Sequence, residues 1–157
     1  MTAFVVDTNV PISANGRETR ADERCQLECV RKLKAVADGE VVAIDDAGSI
    51  LNEYLKYVRW SGQPGAGDLF FKHVFNSQYD PTRVRRVPLN PSEDHRRVFD
   101  ELPPNTLDRS DRKFLAVAVA ARAVVLNATD SDWAEQQALM DELEVEVRQL
   151  CPRHATK

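Results

Sequence analysis

Short apolar runs alternate along this chain with stretches of helical periodicity. Phe4-Val5-Val6 is an unbroken apolar run closed by Asp7-Thr8-Asn9, the pattern of a short strand buried on both faces. Pro11 disfavours helix at the residue before it, so a polar loop is expected next. From Ala21 to Ala37, Cys25, Leu27, Cys29, Val30, Leu33, Val36 and Ala37 predict a helix, with Gly39 as its stop. Val41-Val42-Ala43-Ile44 is a second buried strand ended by Asp45 and Asp46, and a helix over about Ala47–Trp60 follows. Ser61–Gly67 holds three glycines and a proline and reads as a loop.

Beyond that loop, Leu69, Phe70, Phe71, Val74 and Phe75 predict a short helix over Asp68–Asn76, and Val84–Val87 a brief strand. Pro91-Ser92-Glu93-Asp94 opens a predicted helix through Val98, Phe99 and Leu102 that ends at Pro103-Pro104. Asp108–Arg122 is strongly helical, Val124-Val125-Leu126 is a further buried strand, Asp132–Leu143 another helix, and Val145–Leu150 a last strand. Strands alternating with helices predict an α/β fold: a three-layer sandwich with a mainly parallel central sheet, whose ligands bind outside the carboxyl ends of the strands. One domain over residues 1–150 is expected, with 151–157 as a short C-terminal tail.

Composition narrows the function classes. The net charge of −4 gives no overall basic field, so any contact with nucleic acid must come from local patches and bound cations. No apolar run approaches the roughly 20 residues that span a bilayer. The first residues lack the basic flank of a signal peptide. The three cysteines are an odd count without a disulfide-like framework, which predicts a reducing cytoplasm. Cys25 and Cys29 read as helix packing rather than a zinc site, because His73, His95 and His154 are scattered.

The candidate chemistry lies in carboxylates. Asp7 follows the first strand and Asp130 follows Val124-Val125-Leu126, so both belong at one edge of a parallel sheet. Either aspartate alone also suits a turn or a helix cap. Asp111 shares a helical face with Leu115 and Ala118, and Glu53 shares one with Ile50, Tyr57 and Trp60. An acid on a buried stripe needs a partner, and Lys56 and Arg59 are the nearby salt-bridge candidates for Glu53. If the four acids converge, their repulsion keeps some of them protonated unless a divalent cation sits among them, and oxygen donors select Mg²⁺ or Mn²⁺. Such a site suits phosphodiester hydrolysis. Asp108, Asp45 and Asp46 read as caps.

These segments resemble the PIN-domain ribonucleases, which include the VapC-type toxins of toxin–antitoxin systems. The likeness rests on Val5-Val6-Asp7-Thr8-Asn9, on Glu53 in Ile50-Leu51-Asn52-Glu53-Tyr54, on Asp111 in Asp111-Arg112-Lys113-Phe114-Leu115-Ala116-Val117-Ala118, and on Asp130-Ser131-Asp132-Trp133. It implies a Mg²⁺- or Mn²⁺-dependent endoribonuclease with Asp7, Glu53, Asp111 and Asp130 as catalytic metal ligands and Asp132 as a further acid. Thr8 and Asn9 would hydrogen-bond these carboxylates, with turn formation as the alternative for Asn9. RNA substrate, an antitoxin partner and a homodimer follow from the same likeness. Gly62–Arg86 and the segment to Pro104 depart from the compact toxin pattern, and Trp133 stands where the family has Phe, a change expected to alter packing only.

Arg109 and Arg112, on the turn that carries Asp111, are the expected phosphate contacts; a solvated helix face is the alternative. The Arg83, Arg85 and Arg86 cluster reads as loop charge, and Tyr57 and Trp60 as core aromatics, with stacking on a base as the alternative. Two other functions fit parts of the pattern. A catalytically silent PIN-like module would bind RNA or protein without cutting. A Mg²⁺-dependent phosphatase of the haloacid-dehalogenase kind would need a second Asp at position 9, which is Asn9.

Overall fold

In a computed structural model, which describes residues 2–155, five strands form one sheet in the order β3-β2-β1-β4-β5, every neighbouring pair parallel. The strands are β1 (Ala3–Val6), β2 (Val41–Asp45), β3 (Val84–Val87), β4 (Val124–Asn127) and β5 (Val147–Gln149). Every residue of β1 and β2 is buried, as a sheet covered on both faces requires. The helices are α1 (Asn9–Asn15), α2 (Glu23–Gly39), α3 (Ser49–Tyr54), α4 (Ala66–Ser77), α5 (Arg112–Ala121), α6 (Asp132–Glu135) and α7 (Gln137–Leu143).

The chain steps from β1 to β2 to β3 in one direction, then returns to add β4 on the far side of β1. Right-handed crossovers therefore place α1–α4 on one face of the sheet and α5–α7 on the other. The reversal makes the gap between β1 and β4 a switch point, where loops diverge and leave a crevice at the carboxyl edge. Asp7 leaves β1 at that gap, with its amide donating to the Leu126 carbonyl of β4 at 3.1 Å.

Four expectations are corrected. The polar loop after Asp7 is instead α1: Pro11 is its third residue, where a helix has no use for the missing N–H, so the proline is tolerated. The helix over Ala47–Trp60 stops at Tyr54, because the Arg59 amide donates to the buried Asp68 carboxylate at 2.8 Å and draws the chain out of helical register. Asp68 also accepts from Arg17, Asn15 and the Gly65 amide, tying α1, α4 and the intervening loop together. The helix expected after Pro91 is a set of turns with one antiparallel bridge between Pro91 and Phe99; Val98 sits at φ 69°, and the Asp94 carboxylate binds the Arg96 amide locally. Lastly, Cys25 of α2 is disulfide-bonded to Cys151, which fastens residues 151–155 against α2. Arg153 pairs with Asp22 beside that link, and Ala155 is buried.

Candidate metal centre

Three of the predicted acids meet at the switch point. Asp7 comes from the end of β1, Asp130 from the loop after β4, and Asp111 from a 3-10 turn, Arg109–Asp111, that leads into α5. Each offers a carboxylate oxygen, and these oxygens lie within 4.8 Å of one another. Asp7 and Asp111 are buried and Asp130 is half-buried. Asp111 is placed by its helix as its periodicity predicts: Leu115 and Ala118 on the same face are buried in the core.

Burial and mutual repulsion dominate the electrostatics. The Asp7 carboxyl is pushed up to about 7, chiefly by desolvation and further by the charges of Asp130 and Glu53, although the Trp133 indole opposes the rise. Asp111 is pushed up to about 8 by desolvation, then by Asp7 and Asp130. The donors are all oxygen and clustered within ligand reach. That set fits a hard divalent cation, Mg²⁺ or Mn²⁺, which Asp7, Asp111 and Asp130 could hold.

Glu53 stands beside this group but is engaged elsewhere. One of its oxygens accepts from the Lys113 ammonium at 2.6 Å and the other from the Thr8 hydroxyl. The stripe that singled out Glu53 does not exist beyond Tyr54, and its ion-pair partner is Lys113 rather than Lys56 or Arg59. Lys113 also donates to the Ser110 carbonyl at 2.8 Å. Thr8 thus touches a carboxylate as expected. Asn9 does not: its side chain donates to Asn127 at 2.9 Å and accepts from the Ala128 and Thr129 amides, holding the loop that leads to Asp130. Asp132 is half-buried, and its amide donates to Asp130 Oδ1 at 2.9 Å, which orients that carboxylate. Asp108 accepts from Ser110 and Asp45 from the Ser49 and Ile50 amides, both acting as caps.

Trp133 is the contributor that pattern reading missed. Its indole N–H donates to Asp7 Oδ2 at 2.5 Å from a fully buried position. The available signal was that a buried indole must find an acceptor. Trp133→Phe is therefore expected to raise the Asp7 carboxyl further and to weaken Mn²⁺ binding about 10- to 100-fold. Titration calorimetry of Mn²⁺ against both proteins checks this, and equal affinities would refute it.

The expected phosphate contacts divide. Arg109 is exposed on the turn beside Asp111. Arg112 is not available: its guanidinium donates to the carbonyls of Leu107, His95 and Asn105 at 2.9, 3.0 and 3.3 Å, bracing the turns before α5. Arg112→Ala should cost about 2 kcal/mol or more of stability. Arg109→Ala should leave the melting temperature unchanged and, if the centre acts on a phosphodiester, raise KM for that substrate several-fold. Thermal melts and steady-state kinetics of the two variants separate these roles. Arg85 and Arg86 likewise donate to the carbonyls of Ala121 and Asp46. Tyr57 and Trp60 are not core: they are 56% and 58% exposed, with Trp60 resting on Phe75 at a centroid distance of 4.5 Å.

No protein-family model and no curated protein sequence matches this chain. Among the described residues, no helix is long and apolar enough to cross a membrane.

Proposed function

We propose that this protein is a Mg²⁺- or Mn²⁺-dependent endoribonuclease of the PIN-domain kind, working at Asp7, Asp111 and Asp130. The convergence of these three carboxylates at the sheet's switch point, with two of them held above the usual carboxylate range, is the observation that carries the reading. RNA as the substrate rests on the family resemblance. So do an antitoxin as partner, a homodimer and a cytoplasmic setting.

A bound divalent cation supplies Lewis acidity, lowering the pKa of an attacking water and offsetting charge on the phosphoryl oxygens. The chain's own groups position that chemistry. Trp133 fixes the Asp7 carboxylate, the Asp132 amide fixes Asp130, and Asn9 with Asn127 holds the loop between them. Lys113 and Thr8 keep Glu53 oriented at the rim. Arg109 offers a cation to the RNA backbone, and exposed Tyr57, one turn past Glu53, offers a face on which a base can stack.

Purified protein should cut structured RNA internally with Mn²⁺ or Mg²⁺ and not with chelator. A second reading, a PIN-like module that binds without cutting, is favoured by the Lys113–Glu53 ion pair, which neutralises one of the four acids. Metal-dependent RNA binding by the wild type without any cleavage would select it. A small DNA-binding protein encoded next to this one would support the toxin role.

A further inference from the structure

Three cysteines meet where the C-terminal segment crosses α2. Cys25 and Cys29 lie at i and i+4 on one face of that helix, and Cys151 lies just past β5. Their Sγ atoms are all within 4.8 Å of one another, and all three residues are buried. A disulfide needs only two of them. In the bonded state Cys29 is a free buried thiol against the Cys25–Cys151 link. A tetrahedral zinc ion with Zn–S near 2.3 Å needs sulfurs about 3.8 Å apart, a spacing that Cys25 and Cys151 can take only once their bond is broken.

His154, the candidate fourth donor, lies outside this sulfur cluster, against Asp22 at the start of the same helix, and must turn from it to reach a bound ion. His154 follows Cys151 by three residues, so Cys151-Pro152-Arg153-His154 pairs with Cys25-Gln26-Leu27-Glu28-Cys29 at ligand spacing. The His154 ring rests on the start of the same helix: its Nε2 is 3.5 Å from Asp22 Oδ2, and the Asp22 carboxylate accepts from the Cys25 amide at 2.8 Å.

We propose that the reduced protein binds a thiophilic divalent cation, zinc in its chemistry, through Cys25, Cys29 and Cys151 with His154 as the fourth ligand. Reduction comes first. A dithiol reductant delivers two electrons and two protons to the Cys25–Cys151 bond, yielding two thiols while it closes to its own disulfide. Cation binding then releases three thiol protons to solvent, and the neutral imidazole contributes a lone pair. The thiolate set is soft, whereas the Asp7 cluster offers only oxygen, so the two sites select different metals. The thiolate site also bears on the acids through Arg20, whose guanidinium donates to the carbonyls of Thr129 at 2.6 Å and His154 at 3.2 Å.

Cobalt(II) added to the full chain under anaerobic, reducing conditions provides the test. Reduced wild type should take up cobalt with sulfur-to-metal charge-transfer absorption and the intense visible bands of a tetrahedral ion. The oxidised, disulfide-bonded protein should not. Cys29→Ala should lose these bands, and His154→Gln should keep the charge transfer while binding at least about tenfold more weakly. Cobalt held by the aspartates has no thiolate band, so the result is independent of the nuclease reading. Reduced, folded wild type without thiolate bands would overturn the proposal, as would bands that survive in Cys29→Ala. Should Cys29→Ala fail to fold, the comparison of reduced with oxidised wild type decides alone, with circular dichroism confirming that both are folded.

Discussion

Asparagine in place of Asp7 is expected to reduce metal-dependent RNA cleavage roughly 10³-fold or more, and at the same time to make the metal-free protein more stable at pH 8. The two effects have one cause. Asp7 is buried, faces Asp130 and Glu53, and carries a carboxyl raised to about 7, so its ionised form is disfavoured in the fold without a cation. Asparagine keeps an oxygen for the Trp133 indole but removes the charge that would bind metal and that repels its neighbours. Parallel measurements of cleavage rate and melting temperature at pH 8 and pH 5.5 test this. A variant that is inactive and less stable at both pH values would mean that Asp7 is a structural residue.

The second large effect is the pH dependence of the metal-free wild type. Asp7 and Asp111 have folded-state values of about 7 and about 8 against 3.8 unfolded, so the folded protein holds protons that the unfolded chain has released. Stability must then fall as pH rises from about 4 through about 8 and level off above it. His73, half-buried with a pKa lowered chiefly by desolvation, works the other way, but only below its ordinary value of 6.5. Between pH 6.5 and 8 the aspartates act alone. A loss of about 2 kcal/mol there would lower the melting temperature by roughly 4–8 °C. Excess Mn²⁺ at pH 8 should restore it, since a cation among the carboxylates removes the cause. A melting temperature that is flat or rises over this range without metal would contradict the raised values.

The strands were legible because each is an apolar run cut off by charge or turn residues, as at Val6-Asp7 and Ile44-Asp45. Parallel alternation followed, and with it the edge shared by Asp7 and Asp130. Asp111 was legible because its helix is regular past it, through Leu115 and Ala118. Glu53 was less so: its helical stripe depends on residues 57 and 60, which a tertiary bond from Asp68 pulls out of the helix. Arg112 shows the same limit, since side-chain charge says nothing about which backbone carbonyls lie near it in the fold. Val98 and Phe99 mimic a helix face, yet local bonds around Asp94 take the chain elsewhere. Other contacts that escaped pattern reading join segments far apart in sequence, as with Trp133 and Asp7 or Cys151 and Cys25.

The central place of β1 has a consequence for synthesis. Trp133 follows its partner Asp7 by 126 residues, and β1 finds its second neighbour only when β4 has emerged. At ordinary translation speeds that delay is roughly 6–25 s, during which Asp7 belongs to a half-paired strand with one open edge. The acidic centre is thus assembled late, from segments more than 100 residues apart. A nascent or truncated product ending before residue 111 lacks two of the three acids, so the proposed metal centre cannot form on the ribosome until residue 130 has emerged.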